Sequence, residues 1–156
     1  MSLAVCVFIT WSVILIFVLI PKKITGFEMI FLFFICTIFE LSLFNLFHLN
    51  LHWVNVNKSV EKSLADLIMR LICMPVILVM TSNFLLYSSR ILKWCLAGAV
   101  VLFCVMVQEL LVWLGILTTP HWNAGYTVLM CCGDIIFARL MTWFIIYIKQ
   151  TEGKTT

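Results

Sequence analysis

Charged residues are scarce in this sequence. Only 11% of its 156 residues are Asp, Glu, Lys or Arg, whereas an average soluble domain has about 25%. The ten Lys and Arg residues form no run longer than Lys22-Lys23, so the chain lacks the basic patch of a nucleic-acid-binding protein. No Gly- or Ser-rich linker divides the chain, which predicts a single domain over residues 1–156.

The motifs of common enzymes and cofactor sites are also missing. The sequence has no GxSxG, HExxH or P-loop and no CxxC pair. An intramembrane aspartyl enzyme needs two aspartates on different helices. Here they would be Asp66 and Asp134, which lie at different expected depths and outside any recognised motif. We therefore expect no catalytic residues and no cofactor. The seven cysteines all fall in or beside apolar stretches and are expected to be small packing residues in helices.

Apolar residues are abundant instead. Hydrophobic residues make up 64% of the chain and the mean hydropathy is +1.16, more than a soluble domain of this size can bury. A helix needs about 20 largely apolar residues to cross a bilayer. The sequence predicts an all-α bundle of five transmembrane helices, at residues 3–20, 27–49, 64–87, 93–117 and 123–148.

The distribution of Lys and Arg predicts an orientation. With five spans, the first loop, the third loop and the C-terminus share one side, and the second and fourth loops share the other. The first side carries Lys22, Lys23, Arg90, Lys93, Lys149 and Lys154, whereas the second carries Lys58 and Lys62. Because cytoplasmic loops are enriched in Lys and Arg, we expect the N-terminus outside and the C-terminus in the cytoplasm, in the plasma membrane.

Ionisable residues inside the predicted spans are the main indication of function. Each costs roughly 2.5–3.5 kcal/mol near the bilayer centre and usually faces a partner in the bundle. A rise of about 1.5 Å per residue places Glu40, Arg70 and Glu109 within about one helical turn of each other in height. Asp66 precedes Arg70 by four residues, the favourable order for an ion pair on one helix face. We therefore predict a buried charge cluster of Glu40, Asp66, Arg70 and Glu109.

Helical periodicity supports an interior location for two stripes of small and polar residues. The first stripe, on the third span, consists of Ser63, Asp66, Arg70, Cys73, Ile77 and Thr81. The second, on the fifth span, consists of Thr127, Cys131, Asp134, Ala138 and Thr142. Asp134 lies deeper than the cluster, and Asp134 and Arg139 are secondary polar residues within the predicted spans. Arg139 lies towards the cytoplasmic end, where its long side chain could reach the interface.

Two further features carry weaker indications. His48 and His52 are four residues apart, the spacing of two metal ligands on one helix face, although interfacial histidines are the simpler interpretation. Pro75 is expected to kink the third span just below Arg70.

The sequence leaves three functional hypotheses. The first is a binding or assembly protein, such as an accessory subunit of a membrane complex, in which the charge cluster fixes helix packing. The alternative is a small transporter coupled to protons or cations through the same cluster. The third is an intramembrane enzyme. The expected partners are the lipid bilayer and other membrane proteins, with no nucleic acid; a small solute or ion stays an open alternative.

Overall fold

The fold is a bundle of long helices, and 81% of the structure is helical. The computed structural model describes residues 1–86 and 90–152. The helices are α1 (Ser2–Leu19), α2 (Gly26–Asn45), α3 (Val60–Ile68), α4 (Met74–Phe84), α5 (Arg90–Trp113) and α6 (Ala124–Glu152). Two short strands are β1 (Asn55–Val56) and β2 (Leu117–Thr118). The predicted end of the third span at Tyr87, and Lys154 in the C-terminal tail, lie outside the described residues.

Five helical rods are long and apolar enough to span a membrane, as the sequence predicted. They are Ser2–Leu19, Gly26–Asn50, Val60–Phe84, Lys93–Trp113 and Ala124–Lys149. The third rod is assembled from α3, a π-helical turn at Met69–Cys73, and α4. It is the centre of the bundle, because 61% of an 18-residue apolar stretch of this rod is buried, compared with 22–28% of the corresponding stretch in each of the other four.

The two predicted polar stripes face the interior. All five positions of the α6 stripe are buried. On the third rod every position except Ser63 is buried. Ser63 lies near the start of α3, where its hydroxyl donates to the Asn57 carbonyl at 2.9 Å. Small side chains on these faces allow the close helix–helix approach that packing within a membrane requires.

Pro75 disturbs the helical turn that precedes it. It lacks an N–H and its ring crowds the carbonyl four residues earlier, which disfavours regular α-helical hydrogen bonding there. The rod accommodates this with the five-residue π-helical turn Met69–Cys73, which contains Arg70. Such turns are a recognised source of kinks and occur frequently at functional sites.

The fourth span ends earlier than expected. The sequence predicted helix to residue 117, but α5 ends at Trp113 in a C-terminal motif centred on Gly115. Gly115 has a φ of +65°, its N–H donates to the Val112 carbonyl at 2.9 Å, and the Ile116 N–H donates to the Leu111 carbonyl at 3.0 Å. This is the hydrogen-bond pattern of a Schellman cap, completed by the burial of Leu111 and Ile116.

Replacing Gly115 by Ala is expected to destabilise the protein by about 1–2 kcal/mol, because an L-residue is disfavoured at positive φ. The measurement is the free energy of unfolding from an SDS titration of the detergent-solubilised protein. The control is Gly98→Ala, since Gly98 lies inside α5 with no atom within 4 Å of an added Cβ. Equal stability of Gly115→Ala and the parent protein would contradict this account of the cap.

The short strands connect two loops that the sequence left unstructured. β1 and β2 pair antiparallel, with Asn55 opposite Thr118 and Val56 opposite Leu117. The Asn57 N–H extends the ladder by donating to the Ile116 carbonyl at 2.9 Å. This strand pair lies beyond the ends of α2 and α5 and joins the second and fourth loops at one end of the bundle, which we call the outer end.

Candidate functional site

Arg70 is the centre of a buried ion network. Its Nε donates to both carboxylate oxygens of Asp66, at 3.0 and 3.1 Å, and its Nη1 donates to Glu40 Oε1 at 3.4 Å. All three residues are buried. The pair with Asp66 lies along one helix, whereas the pair with Glu40 joins the third rod to α2.

An aromatic ring completes the surroundings of this guanidinium. Arg70 Cζ lies 3.4 Å from the centroid of the Phe44 ring, one turn beyond Glu40 on α2. A guanidinium stacked on an aromatic face gains a cation–π interaction that strengthens when water is excluded. α2 therefore holds Arg70 through both a carboxylate and an aromatic ring. The structure thus brings together three of the four residues of the predicted cluster.

Glu109 does not belong to the cluster, and the expectation that it is buried there was wrong. Its side chain is exposed. It also makes no ion pair within residues 1–86 and 90–152. The reason is helical phase: at 100° per residue, Glu109 points away from the buried face of α5. That face is formed by Val100, Cys104, Val107 and Leu111.

Asp134 occupies the position that was assigned to Glu109. Only 5% of its surface is exposed, and its carboxyl comes within hydrogen-bonding reach of the Glu40 carboxyl. A hydrogen bond between two carboxyl groups needs a proton on one of them, because an ionised carboxylate can only accept. The α6 stripe already placed Asp134 on an interior face, but its expected depth separated it from Glu40.

One oxygen of Asp134 has no hydrogen-bond donor. No N–H or O–H of the described residues reaches Asp134 Oδ1, although this atom is buried. Buried polar groups are nearly always paired, so an unpaired one requires an explanation such as an ordered water, an ion or a functional role.

A small cavity adjoins the carboxyl pair. Its volume is about 40 Å³ and its walls include Glu40, Arg70 and Asp134. Each water molecule needs roughly 10–15 Å³ by this measure, so the cavity has room for about three. On the opposite side, Gln108 and Thr127 contribute polar atoms, and the Thr127 hydroxyl accepts a hydrogen bond from Trp122 Nε1 at 2.8 Å.

Arg139, the other secondary position, lies apart from the cluster. Its side chain is half-buried and lines a separate groove with Lys93. Arg139 Nη1 has no hydrogen-bond partner in the described part of the chain. Of the two secondary polar residues, Asp134 therefore lies beside the charge cluster, whereas Arg139 lines a different groove.

The two histidines do not form a paired metal site. The rod that carries His48 ends at Asn50, so His52 is not on the same helix face. His48 stacks on Phe44 and its Nδ1 donates to the Val54 carbonyl at 2.7 Å. His52 is exposed and has a φ of 54°. Across the described ranges, no three His, Cys, Asp or Glu side chains converge as metal ligands.

Comparison with known proteins adds no relative from which a role could be transferred. The sequence matches no protein-family model, and neither a curated protein nor a solved structure is significantly similar to it. Function is therefore inferred from the charges, the cavity and the membrane-length helices of this chain.

Proposed function

We propose that the protein is a small multi-pass membrane protein that carries protons, with Glu40 and Asp134 as the groups that hold the proton. The observation that supports this most directly is Asp134 Oδ1, which is buried, unpaired within the described residues, and located beside both a second carboxyl and a water-sized cavity. Ionisable residues within membrane helices that face such a cavity are typical of proton relays.

The charge balance favours a proton at this site. Arg70 carries one positive charge and is already bonded to Asp66 through two hydrogen bonds. Glu40 and Asp134 add two more carboxyl groups, and the network contains no second cation to balance their charge. A proton shared between them reduces the excess negative charge without enlarging the cavity.

Polar groups extend from the carboxyl pair towards both ends of the bundle. On the outer side, the cavity walls include Gln108 and Thr127. On the inner side, buried hydroxyl groups follow on α4 and α6, at Thr81, Ser82 and Thr142. Waters that bridge such groups would supply a hydrogen-bonded path for protons. No catalytic step is part of this proposal.

The flux of protons across a membrane tests the proposal directly. The purified protein is reconstituted into liposomes that contain a pH-sensitive dye, and a potassium diffusion potential is imposed with valinomycin. We expect proton entry well above that of protein-free liposomes. Absence of flux from correctly folded, reconstituted protein, at either sign of the potential, would overturn the proposal.

We further propose that the inner end of the bundle faces the cytoplasm of a plasma membrane. Lys23, Glu28 and Lys149 lie together at that end, opposite the strand pair, and Lys149 Nζ pairs with Glu28 Oε1 at 3.0 Å. Lys and Arg residues are concentrated there, which favours the cytoplasmic side.

Epitope accessibility in intact cells is expected to show this orientation. An epitope inserted between Pro120 and His121, both exposed in the outer fourth loop, should bind antibody added outside the cell or its spheroplast. An epitope after Thr156 should bind only after the membrane is permeabilised. The reverse pattern would show that the protein has the opposite orientation.

A second candidate function is an accessory or assembly subunit of a membrane complex. It is supported by Arg70, whose bonds to Asp66 and Glu40 lie entirely within this chain and fix α2 against the third rod. In that case the charge cluster is structural and Asp134 is held permanently protonated. Stable, folded protein without proton flux would favour this second function.

A further inference from the structure

A groove between α5 and α6 brings two cationic side chains together outside the charge cluster. It has a volume of about 340 Å³ and lies in the inner half of the bundle. Lys93 and Trp94 of α5 form one wall and Arg139 of α6 forms the other. The remaining surface is apolar and includes Ala97, Ile136 and Leu140.

The hydrogen-bonding capacity of Arg139 is not satisfied within the described residues. Its Nη1 is buried and has no acceptor there. A guanidinium has five N–H donors in a planar fork, and leaving them unpaired in apolar surroundings is costly. None of the residues that line the groove is acidic. The groove therefore presents two positive charges with no acidic side chain among its described walls.

We propose that this groove binds the phosphate group of an anionic phospholipid from the inner leaflet. The Arg139 fork suits bidentate hydrogen bonding to phosphate oxygens, and Lys93 supplies a second cation. Basic pockets between membrane helices on the cytoplasmic side are suited to anionic headgroups. The proposal relies on the membrane insertion proposed above but not on the proton site.

The walls of the groove favour a lipid over a free anion. Trp94 is 79% exposed, Ile136 61% and Leu140 55%, so the groove opens onto the apolar outer surface of the bundle. These side chains can contact acyl chains while the indole of Trp94 lies near the headgroups, as is common for Trp at membrane interfaces. A free phosphate ion would reach the two cations only by leaving water for this apolar surface.

Native mass spectrometry of the detergent-solubilised protein tests this binding. Phosphatidylglycerol and phosphatidylcholine with identical acyl chains are added in equal amounts. We expect phosphatidylglycerol to bind about tenfold more tightly, because both lipids offer a phosphate but only phosphatidylcholine carries a choline cation, which the two positive side chains repel. Arg139→Gln should remove most of that preference. Lys93→Gln should weaken the preference less, and Arg139→Lys should retain part of it.

The control is Lys22→Gln, which removes an exposed positive charge at the same end of the bundle. This variant should keep the preference for phosphatidylglycerol. Equal binding of the two lipids, or an unchanged preference in both Arg139→Gln and Lys93→Gln, would overturn the proposal. Displacement of the lipid by millimolar inorganic phosphate would also overturn it, because the groove would then be a free-anion site. If Arg139→Gln does not fold, Lys93→Gln and Arg139→Lys decide the result. The readout is lipid binding, so its failure leaves the proton proposal unaffected.

Discussion

Replacing Asp134 by Asn is expected to reduce proton flux in reconstituted liposomes by about a hundredfold or more, the effect typical of removing a positioned proton-transfer group. Asn has nearly the same shape and can hydrogen bond to Glu40, but it cannot release and take up a proton. The fold should persist, because the substitution adds no volume and removes no ion pair of the Arg70 network. Flux is measured with the entrapped pH dye under a fixed potential.

Glu109→Gln is the matched control for this experiment. It makes the same carboxyl-to-amide change on a neighbouring helix, at an exposed carboxyl that lies outside the cavity, and should leave the flux unchanged. Glu40→Gln is expected to reduce flux as Asp134→Asn does. Parental flux in folded Asp134→Asn protein would show that the pair Glu40–Asp134 does not carry the proton.

Replacing Arg70 by Leu is expected to destabilise the protein by about 3–5 kcal/mol. The substitution removes the shared cation and leaves the buried carboxylates of Asp66 and Glu40 unpaired, and breaking a buried ion pair from one side typically costs this much. It also removes the cation–π contact with Phe44. The free energy of unfolding, from an SDS titration at neutral pH, gives the size of the effect.

A charge-free network separates the electrostatic cause from a simple loss of packing. In the triple variant Asp66→Asn, Glu40→Gln, Arg70→Met no charge of the Arg70 ion network stays buried, so much of the lost stability should return. Arg70→Lys should fall between the parent and Arg70→Leu, because Lys keeps the charge but cannot match the guanidinium fork. If Arg70→Leu is as stable as the parent, the ion network does not stabilise the bundle.

The five rods and the interior stripes could be predicted from the sequence because both follow from local pattern. Apolar length alone identifies a membrane-length helix. A stripe at three- and four-residue steps identifies the face that packs, as Thr142 and Ala138 illustrate. The contact between Asp66 and Arg70 follows from their separation by four residues on one helix, without any knowledge of tertiary structure.

The sequence-based prediction placed Glu109, instead of Asp134, beside Glu40. It used the height of each residue along its helix and ignored the direction in which the side chain points. A ruler of 1.5 Å per residue gives depth along a helix but not direction around it. The buried face of α5 could have been recognised in the sequence from the small residue Cys104 and its neighbours at the same phase, which leave Glu109 on the far side.

The remaining features differ in whether the local sequence indicates them. The end of α5 had a local signal, because Gly115 follows an apolar run as C-terminal caps often do. The pairing of β1 with β2 had none: each strand is two residues long and exists only because the fold brings the two loops together. The π-helical turn at Met69–Cys73 reflects the balance between Pro75 and packing in the whole bundle.

The strand pair at the outer end makes the two ends of the bundle unequal in their freedom to move. The outer end is tied by main-chain hydrogen bonds between the second and fourth loops. The inner end is held by side-chain contacts instead. Glu28 pairs with the largely exposed Lys149, and the buried Asn83 amide accepts from the Lys23 N–H at 2.7 Å and donates to the Pro21 carbonyl at 3.0 Å. Side-chain pairs in water break and re-form easily, whereas a ladder opens as a unit. Separation of the helices at the outer end is therefore expected to require the whole strand pair to open, whereas the inner end can loosen one side-chain contact at a time.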